Sequence, residues 1–179
     1  MITRLKNRLR LFRKEDDGAI IALEFMIMAP LIFSAFFMGV EMGLYSIRQM
    51  LLDRGLEVTT REVRLNTDMY FEHDDLKRAI CQNAGNLPGC MDNLRLEMVP
   101  TNPRAFTGLP ATVDCVDTSQ PVTPVRGWAL GKQHDLMILR ACYKFKPIFP
   151  TTGLGASFSK DGNGEVAMST ISAFVQEPS

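Results

Sequence analysis

The chain has 179 residues, 46% of them hydrophobic, with 20 Lys and Arg against 20 Asp and Glu and a net charge of zero. That length has room for one membrane span and one soluble domain of roughly 110 to 130 residues, not for two independent cores. Zero net charge removes the electrostatic footprint that nucleic-acid binding needs, and the one basic cluster is explained by topology instead.

Residues 1–18 form a short leader or tail, basic at Arg4, Lys6, Arg8, Arg10, Arg13 and Lys14, then acidic at Glu15, Asp16 and Asp17. From Ala19 to Val40 the sequence is apolar apart from Glu24. These roughly 22 residues make about 33 Å of helix, enough to cross the hydrocarbon core of a bilayer. Basic residues beside a span stay cytoplasmic, so the rest of the chain is expected in the opposite compartment. The run is longer than a secretory signal core and has no small-x-small cleavage site at its far end. Pro30 should kink or loosen the span where it removes a backbone hydrogen bond.

The transmembrane helix is expected over 19–45 and an amphipathic continuation over 46–67, where Tyr45, Met50, Leu52, Leu56, Val63 and Leu65 recur at helical spacing. Asn66 and Thr67 are the expected terminators. A domain over 68–179 follows. His73, Asp74 and Asp75 supply an acidic N-cap to a helix of about ten residues that ends at a glycine. Leu94, Leu96 and Met98 alternate with Arg95 and Glu97, the pattern of a half-buried strand. Residues 135–146 read as a central strand ended by Pro147 and Pro150, and 165–176 as a last strand behind the turn Lys160-Asp161-Gly162-Asn163-Gly164. Between Pro100 and Lys132 the chain reads as loop around a short strand near Val113–Val116. The expected fold is α+β: a long helix, a short helix and a mainly antiparallel sheet.

Cys81, Cys90, Cys115 and Cys142 all lie beyond the span, where disulfides are permitted. Four cysteines allow three pairings, which sequence alone does not separate. Closeness across a Gly/Pro turn favours Cys81 with Cys90, leaving Cys115 with Cys142. Zinc-type spacing is absent.

The arrangement of leader glycine, Gly18-Ala19-Ile20-Ile21-Ala22-Leu23-Glu24-Phe25, then Ala29-Pro30-Leu31 and Val40-Glu41-Met42-Gly43, resembles type IV pilins and pseudopilins, and most closely the TadE family of the tight adherence (Tad/Flp) pilus. The resemblance covers residues 18–60; the segment Pro147–Ala156 and the cysteine set are more loosely similar. It implies a non-enzymatic minor pseudopilin with no cofactor, anchored in the bacterial inner membrane, its N-terminus cytoplasmic and its C-terminal domain periplasmic, and associated with pili. Implied partners are the prepilin peptidase, other Tad pseudopilins, the Flp-type pilin and the pilus assembly platform. Gly18, Ala19 and Ile20 would form the processing junction, and Glu24 and Phe25 an assembly contact. The family places its glutamate fifth after the cleaved bond. Cleavage after Gly18 makes Glu24 sixth, cleavage after Ala19 makes it fifth, and a third outcome leaves the leader in place. Cleavage would create an ammonium that a carboxylate on a neighbouring helix could neutralise.

The remaining constellations point elsewhere. His73 and His134 lie beside no plausible nucleophile, and no paired-acid or phosphate-binding arrangement occurs, so no enzyme is expected. Asp161, Asn163 and Glu165 space oxygen donors as calcium loops do, but without an EF-hand's length, and a hairpin turn is the simpler reading. Gly39 and Gly43 form a G-x-x-x-G pair that lets helices approach. The alternative to a pseudopilin is a single-pass anchor, never processed or assembled, whose periplasmic domain binds a ligand or envelope component.

Overall fold

The computed structural model describes residues 16–66, 69–105, 112–116, 127–151 and 153–178, with the side chains of Asp16, Asp17 and Ala19 left aside. The basic residues of the leader and Thr67 lie outside the described residues. The architecture is α+β. Helix α1 spans Asp16–Leu65, α2 His73–Ala84, and α3 Cys90–Asn93; strand β1 spans Leu94–Pro100 and β2 Leu136–Phe145; helix α4 spans Gly153–Ser157 and β3 Val166–Val175.

Helix α1 is continuous for 50 residues and runs through Pro30 without interruption. Its first half is exposed on all sides, while its second half buries Leu52, Leu56 and Val63 against the domain. Leu52, Leu56 and Val63, with Tyr45 partly buried, are therefore the seam between helix and domain, whereas Met50 and Leu65 of the expected apolar face are 60% and 57% exposed. At the far end, Asn66 Nδ2 donates to the Glu62 carbonyl at 2.8 Å. The Val63 carbonyl accepts from Gln176 Nε2 at 3.2 Å, and the Arg64 carbonyl accepts from the Glu177 amide at 3.4 Å. Carbonyls with no partner inside the helix are thus satisfied by the residues that follow β3.

Helix α2 folds back on α1 so closely that a Cβ added at Gly55 would lie 2.6 Å from the Ile80 carbonyl oxygen and 2.9 Å from Ala84 Cβ. The acidic N-cap expected at its start is corrected by the structure. Glu72 occupies the cap position without a side-chain hydrogen bond, its carbonyl accepting from Asp75 and Leu76. Asp74 and Asp75 instead sit in the first turn, where negative charge suits the helix dipole.

The sheet is antiparallel in the order β1-β2-β3, with Leu94 opposite Tyr143 and Phe145 opposite Val166. One face, formed by Leu94, Leu96, Met98, Met137, Leu139, Tyr143, Met168 and Phe174, closes the core against the helices. Each such aliphatic side chain contributes about 1.5 to 3 kcal/mol through burial.

The opposite face departs from the expected half-buried pattern: Arg95 is 6% and Glu97 3% exposed. Residues 112–116 lie over that face, so the charged side chains are covered and paired rather than solvated. The short strand expected near Val113–Val116 is not formed; these residues have no ladder partners among the described residues. Their cover is fastened by Cys115–Cys142, and Cys81–Cys90 fastens α2 to α3, with Cα separations of 5.2 and 5.8 Å.

Candidate functional site at the membrane boundary

Among the described residues, one helix is long and apolar enough to cross a membrane, and its most apolar window is 0% buried. The junction residues Gly18, Ala19 and Ile20 lie in the first turns of α1, with Ile20 62% exposed. The Gly18–Ala19 bond, expected at the boundary between leader and apolar helix, is therefore inside helical backbone. Glu24 is exposed one turn further on, on the same face as Ile20, and has no polar partner among the described residues. Phe25 is 66% exposed beside it. A carboxylate standing among apolar side chains would be costly in lipid unless a cation from another molecule or from the chain terminus met it.

A second carboxylate of the same helix behaves in the opposite way. Glu41 is 1% exposed, and its two oxygens accept the backbone amides of Ile148 and Phe149 at 3.2 and 3.1 Å. Hydrogen bonds to an ionised acceptor are stronger than neutral ones and offset the cost of burying it. Around this clamp the Phe149 ring lies 4.9 Å from the Phe37 ring, and the start of α4 at Gly153 lies close against Met38. One turn above, Tyr45 stacks on Phe158 at 5.4 Å and Arg48 lies 4.7 Å over the Phe145 ring. The β2–β3 connection is thus fixed to the helix where the apolar run ends.

Sequence reasoning quoted Glu41 only as part of a resemblance and assigned it no role. The signal available was a second acid directly after the apolar run, together with an apolar, proline-containing loop, Pro147-Ile148-Phe149-Pro150, elsewhere in the chain.

No family model, curated protein or solved structure matches the chain.

The turn that carried the calcium-like spacing uses its own donors. Asp161 Oδ1 accepts the amides of Asn163 and Glu165 at 3.0 and 2.9 Å, and Oδ2 accepts Lys144 Nζ at 2.7 Å. The Lys144 bond, reinforced by those amides, holds the Asp161 carboxyl below its ordinary range. Across the sheet, Arg140 Nε lies 2.6 Å from Glu97 Oε2 and its Nη2 3.1 Å from the Thr112 carbonyl, while Arg95 pairs with Asp114 at 3.2 Å. His73 is used structurally. Its Nδ1 is 3.0 Å from Asp74, its Nε2 is 3.4 Å from the Leu96 amide, and its ring meets Trp128 edge-on. His134 lies elsewhere, on the turn before β2.

Proposed function

We propose that this chain is a TadE-like minor pseudopilin, a non-enzymatic assembly protein of tight adherence pili held in the inner membrane with its disulfide-bonded domain in the periplasm. The observation that carries the reading is one unbroken helix with two different halves. The first is apolar on every side from Ile20 to Val40 apart from the exposed carboxylate of Glu24; the second is seamed into a small α+β domain. That design suits a subunit whose anchor moves from lipid into a bundle of like helices while its domain travels with it as a rigid body. Packing between helices in lipid rests on close contact and on polar groups that find partners. Glu24 is the group that would meet the new N-terminal ammonium of a neighbouring subunit.

N-terminal sequencing and intact mass of the membrane-bound chain test this. The expected product starts at Ala19 or Ile20, and a chain retaining Met1 sinks the processed form. Glu24→Ala should reduce assembly into pili while leaving membrane insertion intact; normal assembly removes the carboxylate's role. A second reading, a permanent anchor whose domain binds an envelope component, draws on the helical conformation of residues 16–20, because a peptidase would have to unwind that turn.

A further inference from the structure

We infer that the domain makes a second contact with the membrane. The apolar ledge formed by residues 147–151 and α4 rests in the interfacial zone of the leaflet where α1 leaves the bilayer, and Glu41 is the clamp that holds it there. The inference rests on the anchoring part of the reading above, and its position follows from helix geometry. From Ile20 to Glu41 is about 32 Å along the axis, against a hydrocarbon core of about 30 Å. Glu41 therefore sits where lipid tails give way to headgroups, and its hydrogen bonds to the amides of Ile148 and Phe149 bring the ledge to that level.

The ledge's chemistry matches that level. Phe149 turns inward onto Phe37, but Ile148 remains 52% exposed and Pro150 is exposed beside it. On the helix, Phe36 and Met38 are 61% and 46% exposed. Lys146, exposed immediately before this tip, is placed to reach anionic headgroups. Apolar side chains at the headgroup–acyl boundary are how a protein surface rests on a bilayer. Helix α4 is packed directly on the tip, since a Cβ added at Gly155 would run into the Phe149 carbonyl oxygen.

The test uses the full chain with its four cysteines oxidised, reconstituted in vesicles of phosphatidylethanolamine and phosphatidylglycerol. A nitroxide is placed at Ile148→Cys, at Phe33→Cys in the span and at Tyr70→Cys at the far end of the domain. Collision with oxygen and with a water-soluble nickel chelate reports depth. The expected result is a deep signal at 33, a shallow lipid signal at 148 and an aqueous signal at 70. An aqueous signal at 148 with a lipid signal at 33 overturns the ledge while leaving the span intact, whereas aqueous signals at both remove the span itself. A label at 148 shielded from both agents means that protein, not lipid, covers the ledge, which also overturns the inference. Adding Glu41→Ala to the Ile148→Cys chain should release the ledge, giving a more mobile and more aqueous label at 148 with no change at 33. Glu41→Gln, which retains one acceptor oxygen, should be intermediate. An unchanged label at 148 in Glu41→Ala overturns the clamp.

Discussion

Asp161 gathers two backbone amides and the Lys144 ammonium on one carboxylate, and the side chains of the ion pair are only 11% and 29% exposed. Its carboxyl lies below its ordinary value of 3.8 chiefly because of the Lys144 bond. A depressed folded-state value means that the unfolded chain takes up the proton first as pH falls. The stabilisation is therefore complete above about pH 4 and is lost as pH drops through the lowered folded-state value. Asp161→Asn should cost about 1 to 2 kcal/mol at neutral pH. Melting temperatures from pH 7 down to pH 2 should show variant and parent converging at the acid end; a constant gap would mean that the charge contributes nothing. Burial limits what alternation alone reveals at this scale. Arg95 and Glu97 have the period of an exposed face, and nothing in their own strand tells that residues 112–116 lie across them.

At the scale of elements, the α1–α2 crossing is set by what is missing at Gly55. Alanine is the better helix former by about 1 kcal/mol, so an exposed glycine in mid-helix would be improved by Gly55→Ala. Here the added methyl meets backbone of the neighbouring helix at 2.6 Å, and overpacking of that kind costs about 1 to 3 kcal/mol. The packing penalty prevails, and a net loss of about 1 kcal/mol is expected in denaturant unfolding of the detergent-solubilised chain. A stabilised variant would show that the helices do not meet so closely. Long elements were the legible ones. The apolar half of α1, the half that packs on the domain, the central strand and the closing strand each extend over ten residues or more. Helices α3 and α4 occupy four and five residues, too few for a period to register. The Glu41 clamp joins residues 107 and 108 positions apart in the chain, through backbone amides that any residue but proline could offer.

For the whole molecule, the two disulfides have different work although the sequence treats them alike. Cys81–Cys90 closes a separation of 9 residues between neighbouring helices, whereas Cys115–Cys142 closes 27 and fixes a segment over the centre of β2. Chain-entropy arguments assign them about 3 and about 4 kcal/mol. The second also maintains a dry environment for charge. The segment it holds supplies the Thr112 carbonyl to Arg140, the Asp114 carboxylate to Arg95 and the Asp114 amide to Glu97. Releasing it leaves buried charges without part of their partners, a loss beyond the loop entropy. Replacing Cys115 and Cys142 together by serine should therefore destabilise the chain more than replacing Cys81 and Cys90, and by more than the 1 kcal/mol that loop lengths alone allow. Hydrogen exchange locates the cause: protection should fall at β1 and the middle of β2 in the first variant, and around α2 and α3 in the second. Equal losses, or unchanged protection of β1 in the Cys115 and Cys142 variant, would mean that the ion pairs are held by the sheet alone. Helical signal from the first half of α1 should persist in both, because that half is exposed and meets the domain only from Phe37 onward.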